Sequence, residues 1–215
     1  MGQHYLRMLF SPKSVAVIGA SERANAVGEI VFRNILESGY TGLLYPVTPA
    51  HQQVQGQHAY ATIEEIGAPV ELAVICTEAE TVPDIIEACG KHGVRAAVVL
   101  SAGFSEVGAR GTALEHAMLA NAKNYGVRII GPNCLGIMRP AIGLNATFFK
   151  GRIKSGNLAL VSQSGALCTA ILDWAPANDI GFSSVVSMGD ASDVDFGEIL
   201  DYLATDAQTR SILIY

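Results

Sequence analysis

Two stretches of this chain combine glycine with short polar side chains in the way that anion binding requires. The first is GASERANAVG, Gly19 to Gly28, set between the apolar run Val15–Ile18 and a helical pattern. A glycine at the end of a strand permits a sharp turn, and the free N–H groups and dipole of the next helix suit a phosphate or diphosphate. Its two glycines stand nine positions apart, so the loop is longer and wider than a GxGxxG turn. The second is Ser162-Gln163-Ser164-Gly165, where a strand again ends in small polar residues and opens a helix. The orphan N–H groups there face a sheet edge. Plain N-capping explains the same serines equally well. Gly189-Asp190 and Asp193–Asp195 follow a later strand. Such acidic runs are most often solvated loops or caps, while the sharper reading puts Asp190 at the same edge, without a defined role.

The residues after the second strand argue against a nicotinamide dinucleotide. Such a site wants Asp or Glu there, to accept from the ribose hydroxyls. Tyr45–His51 reads YPVTPAH and holds no carboxylate, a rim that suits a phosphorylated ribose better. The five histidines make no metal-ligand spacing, so no metal is expected. Cys76, Cys89, Cys134 and Cys168 lie far apart with no CxxC pair, as free thiols of a reducing cytoplasm would. The net charge of −6 offers no basic field for nucleic acid. The longest apolar runs are far too short to cross a bilayer, and no signal peptide is visible, so no membrane partner is expected.

The elements that would position these loops alternate strand and helix. Strands are expected at Val15–Ile18, Leu43–Val47, Leu72–Cys76, Ala96–Leu100 and Arg128–Ile130, with helices at 28–38, 82–92 and 109–125 and a short one at 62–66. That rhythm predicts an α/β fold: a Rossmann-like doubly wound parallel sheet over residues 1–138. Residues 139–155 read as a linker, broken by Pro140 and Gly143 and carrying Lys150, Arg152 and Lys154. The alternation restarts over 156–215, as the start of a flavodoxin-like α/β domain. The chain stops inside an apolar run, Ser211–Tyr215, which reads as the front of a longer protein with Ile212, Leu213 and Ile214 incompletely covered.

LFSPKSVAVIGAS (9–21), PVTP (46–49), LSAGFSE (100–106), GPNCLGI (131–137) and LVSQSGAL (160–167) occur in this order. Together they resemble the N-terminal CoA-binding and first ligase subdomains of the ADP-forming acetyl-CoA synthetases, a family similar to the α subunit of succinyl-CoA synthetase. TAILDWA (169–175) most resembles a bacterial branch fused to a lysine acetyltransferase domain. The resemblance implies that Gly19, Ala20 and Gly28 hold CoA phosphates, with Ser21 and Asn25 as side-chain donors. It implies that Val47, Thr48, Pro49 and His51 flank the adenosine, His51 standing where the family has a lysine. Cys76-Thr77 and Leu100-Ser101-Ala102-Gly103 would line the cofactor channel, though Thr77 and Ser101 read equally well as cap or turn residues. Asn133 would touch the cofactor or serve only a rigid domain-joining turn. Ser162, Gln163, Ser164 and Gly165 would form half of a pocket for a phosphorylated histidine. None of His4, His51, His58, His92 or His116 sits in that histidine's motif, so no catalytic residue is assigned.

These expectations describe the CoA-binding portion of an ADP-forming acyl-CoA ligase, inactive by itself. CoA or acetyl-CoA is the expected ligand, with ATP, ADP and Mg handled by further domains or a subunit in an oligomer. The alternatives are an acyl-CoA-sensing region of a lysine acetyltransferase, or an NAD-binding Rossmann module.

Overall fold

The structure, a computed structural model, describes residues 4–215. Ser14–Ile18 (β1), Leu43–Val47 (β2), Leu72–Ile75 (β3), Ala96–Val99 (β4) and Arg128–Ile130 (β5) form one parallel sheet in the order β2-β1-β3-β4-β5. Three of its central strands are buried along their whole length, as strands covered on both faces must be. The period of two then divides their side chains. Val15, Val17, Val74 and Val98 face one core with Val31, Phe32 and Ile35 of helix α2 (Val27–Glu37). Ala16, Ile18, Ile75 and Val99 face a second core, closed by α3 (Val82–His92) and α4 (Ala109–Tyr125) through Ile86, Cys89, Met118 and Ala122. Gly93 and Gly126 end those two helices in the left-handed conformation, the stop signal their sequence carries. The strand order reverses between β1 and β3, and ligands of such sheets sit outside the carboxyl ends at that point.

The linker expected over 139–155 is corrected by the structure. Gly136–Arg139 (β6) and Leu144–Thr147 (β7) form a buried antiparallel hairpin inside the second sheet. That sheet continues with Ser155–Ser162 (β8), Phe182–Ser187 (β9) and Ser211–Ile214 (β10), in the order β10-β8-β9-β6-β7. Pro140 and Gly143 mark only the hairpin turn, where Gly143 takes φ +69°. Each strand has four residues, too few to show a period, and burial of both was decided by the sheet they join.

The two sheets share a core. Val161 and Val186 of the second sheet lie in the same cluster as Val15 and Val17 of the first. Helix α1 (Arg7–Phe10) and α6 (Phe196–Thr205) belong to it too, with Phe10 stacked on Tyr202 at 4.3 Å. Asn34 of α2 donates to the carbonyls of Thr147 and Phe149, both at 2.8 Å. Arg128 donates to both oxygens of Glu198, at 2.9 and 2.8 Å, and to Asp193 at 3.0 Å. Helix α5 (Gly165–Trp174) covers the opposite face of the second sheet through Cys168 and Leu172.

Among the described residues strand β10 is an edge strand paired only with β8, and every residue of it is exposed. Ile212, Leu213 and Ile214 are 37, 42 and 49% exposed, as the sequence implied. The Ser211–Ile214 amides are therefore expected to exchange with deuterium well ahead of those of β1 and β3. Equal protection in all three strands would show that β10 is as firmly held as the centre.

Candidate functional site

Gly19 ends β1 with φ +87°, and its N–H donates to the Val47 carbonyl at 2.9 Å. A Cβ there would meet Thr77 Cγ2 at 2.9 Å and the Cys76 carbonyl carbon at 3.1 Å. A Cβ on Gly28 would lie 1.9 Å from the Gly19 carbonyl oxygen, so the first turn of α2 rests directly on the strand end. Ala20 beside it is buried. Ala26, the N-cap residue of α2, carries no side-chain cap, which leaves first-turn N–H groups for a ligand. The Gly19–Gly28 loop thus brings backbone N–H groups to the end of β1. The loop's polar side chains behave differently: Ser21 Oγ accepts from the Arg23 N–H at 3.0 Å and shapes the loop. Asn25 Oδ1 accepts from Lys150 Nζ at 2.8 Å. Lys150 lies 125 positions away, and no local pattern could have named it.

A cleft of about 880 Å³ opens beside this loop, between the carboxyl ends of β3 and β4 and the N-terminus of α5. Cys76, Thr77, Leu100, Ser101, Ala102 and Asn133 line one side; Gln163, Gly165 and Asp190 line the other. Thus eight of the expected site residues meet in one cavity, with Asp190. Several of their polar groups are already engaged. Ser101 donates to the Thr77 carbonyl at 2.6 Å, Thr77 Oγ1 accepts from Thr81, and Asn133 N–H donates to the Ser101 carbonyl at 2.9 Å. Ser101 and Asn133 therefore hold the strand ends in shape, as turn residues do. Gly103 lies outside the cleft wall, at φ +110°, with its N–H donated to Glu106.

The two serines of the second motif are not aimed into the cleft. Ser164 Oγ caps α5 by accepting from the Leu167 N–H at 3.2 Å. Ser162 is fully buried, and its hydroxyl bonds within its own turn to Ser164. Gln163 and Gly165 do line the cavity, so what this corner offers an anion is backbone and the Gln163 amide. Asp195 is a helix cap, with Glu198 completing a capping box on α6.

A second, largely apolar pocket of about 690 Å³ lies at the ends of β1 and β2. Gly19, Val47, Pro49 and Ile63 line it with Thr77. Thr48 is buried and pairs through its N–H with the Tyr60 carbonyl at 2.8 Å; His51 is exposed and lines neither cavity. No acid stands at the end of β2, but the fold brings Glu64, Glu78, Glu80 and Asp84 to this pocket from later segments. Burial pushes the Cys134 thiol up to about 12 and the Cys168 thiol up to about 11, so neither is a thiolate at neutral pH.

Residues 13–140 match the CoA binding domain family. The chain belongs to that family. Residues 155–215 match the succinyl-CoA ligase like flavodoxin domain, while β6 of the second sheet falls inside the first match and β7 between the two. The ADP-forming acetate–CoA ligase I of Archaeoglobus fulgidus is 42% identical over 98% of this chain and 30% of its own length. The α subunit of the ADP-forming acetate–CoA ligase I of Pyrococcus furiosus is 41% identical over 98% of this chain and 46% of its own. The solved structure of acetyl-coenzyme A synthetase 1 from Ca. Korarchaeum cryptofilum, in complex with phosphate and ADP, superposes with a TM-score of 0.94 at 38% identity. It is matched over 98% of this chain and 45% of that one. The chain spans less than half the length of these relatives.

Proposed function

We propose that this chain is the part of an ADP-forming acyl-CoA ligase, of the acetate–CoA type, that holds CoA or acetyl-CoA and one wall of a phosphate pocket. The observation that carries the reading is the 880 Å³ cleft joining the β3 and β4 ends to the α5 N-terminus, beside the uncapped α2. The residues fit such a ligand: the Gly19 and Gly28 positions have no room for a side chain, which suits close backbone approach of a diphosphate. The α2 N–H groups would hold the diphosphate, with Lys150 beside them. The apolar pocket at Val47, Pro49 and Ile63 would take the base, because its carboxylates disfavour the phosphorylated ribose there. Thr77 and Ala102 would guide the pantetheine arm toward Asn133 and Gln163. Bound CoA supplies the thiol that carries the acyl group.

In the whole ligase, acyl phosphate formation, phosphoryl transfer to a histidine and thioester formation would involve groups outside this chain. Further domains or a partner subunit would handle ATP, ADP and Mg. We place the protein in the cytoplasm, in an oligomer, in keeping with its four free cysteines. Calorimetry on the purified chain tests the reading. CoA is expected to bind at least about tenfold more tightly than NAD. Equal or tighter NAD binding would overturn it.

A further inference from the structure

Another cavity, of about 440 Å³, lies between the second half of α2, the β6–β7 hairpin and residues 150–153. It shares no lining residue with the 880 Å³ cleft or with the apolar pocket.

Its chemistry begins with Asn145 of β7, a residue only 7% exposed. Asn145 Oδ1 accepts from Thr147 Oγ1 at 2.7 Å, and that same hydroxyl accepts from the Phe149 N–H at 3.2 Å. The hydroxyl has one proton to give, so the amide oxygen faces Thr147 and the NH2 group faces away from it. Asn145 Nδ2 has no hydrogen-bond partner among the described residues, yet it is not sealed from solvent as Arg139 Nε and Asp190 Oδ2 are. Met138, opposite Asn145 in the hairpin register, lines the same cavity, so the cavity lies over the face on which both side chains stand. A buried amide thus turns unused donors toward it, and such groups mark places where a ligand completes the hydrogen bonding.

Around this amide the cavity collects cations. Arg33 gives Nη1 to Glu29 and keeps its other N–H groups, while Lys150 gives one of its three protons to Asn25. Arg152 has no carboxylate partner among the described residues. Among the described residues Glu37 is the one carboxylate on the wall, and the C-terminal turn of α2 adds about half a negative charge. The three cations outweigh both, in a chain whose net charge is −6. Asn34 spends Nδ2 on the Thr147 and Phe149 carbonyls, which pins the strand edge to α2 and fixes the shape of the cavity.

We propose that this cavity binds a phosphate-type oxyanion, free or carried by a small molecule, with Asn145 Nδ2, Arg33, Lys150 and Arg152 as its donors. A tetrahedral oxyanion offers acceptors on every side, which suits an amide, two guanidinium groups and an ammonium arriving from three segments of the chain. A cation would meet only repulsion from these groups. The site stands on its own geometry and does not rest on the CoA reading.

Calorimetric titration of the chain with inorganic phosphate, and separately with glycerol 3-phosphate, at neutral pH and low ionic strength tests it. Saturable binding with a Kd of about 1 mM or tighter is expected for at least one of them. The tighter of the two tells a free anion from the phosphoryl group of a small molecule. Asn145→Ala and Arg152→Gln are each expected to weaken binding about tenfold, one hydrogen bond to a charged group being lost. Arg152 is exposed, so its variant should melt as the native chain does. Gln163→Ala, in the cleft, is expected to leave the affinity unchanged. No saturable binding of either probe, or native affinity in either cavity variant, would overturn the site. A loss in Gln163→Ala equal to that in Arg152→Gln would place the anion in the cleft and overturn it as well.

Discussion

Replacing Gly28 with alanine is expected to abolish CoA binding and to lower the thermal midpoint by roughly 3–10 °C. The added carbon would fall 1.9 Å from the Gly19 carbonyl oxygen, a backbone atom with no freedom to rotate away. Helix α2 must then move off the end of β1. Its first-turn N–H groups move with it, so the cradle opens at the point where a diphosphate would approach. The stability loss comes from Val31, Phe32 and Ile35, which the same movement would lift from the shared core. Melting curves and CoA calorimetry on the same preparation check both halves. Native affinity in Gly28→Ala would mean that the loop does not hold the ligand.

The second large effect lies outside the site. Arg139 and Asp206 form an ion pair at 2.7 Å, with side chains only 5 and 9% exposed. Asp206→Ala is expected to cost about 3–5 kcal/mol, because it leaves the arginine charge buried and unpaired. In a chain of this size that is a fall of roughly 6–20 °C in midpoint. Arg139→Met combined with Asp206→Leu should recover most of the loss, since a well-packed apolar pair leaves no charge to satisfy. The pair also has a pH signature. Burial opposes ionisation of Asp206, but hydrogen bonds from Arg139 and Thr209 outweigh it and hold the carboxyl below its ordinary 3.8. A carboxyl lowered by folding contributes fully above the ordinary value, and the contribution fades as pH falls through the lowered one. The difference between the native chain and Asp206→Ala should therefore narrow below about pH 4. A midpoint within about a degree of native in Asp206→Ala at neutral pH would show that the pair contributes nothing net.

Arg139 of that pair opens the stretch that reads as a linker, and it shows where local pattern stops. Pro140 and Gly143 break a periodicity, and that break looks the same in a loose connection as in a tight hairpin. Arg139 is charged and would ordinarily be exposed; only its placement against Ser184 and Asp206, 45 and 67 positions away, makes burial tolerable. The long alternating segments were another matter. Val15–Ile18 and Ala96–Val99 are apolar on both faces, which nothing but a doubly covered strand accommodates, and Gly93 and Gly126 stop their helices by conformational preference alone.

At the site the same division holds. By itself the sequence determined the first strand-to-helix turn and its glycines, Gly19 and Gly28, because a left-handed turn or a contact too close for Cβ admits little else. Its five ordered motifs also pointed to the family, and the relatives are 42 and 41% identical over 98% of this chain. Only the tertiary structure decided which polar groups remain free to meet a ligand. Ser162, Ser164 and Ser101 carry the right chemistry, yet their hydroxyls are consumed by turns and caps. Lys150 carries no motif, yet the fold brings it to Asn25, while Asp190, whose run the sequence placed at this edge, does line the cleft. Hydrogen-bond satisfaction is a property of neighbours, and neighbours far apart along a chain are assigned only when its sheets pack.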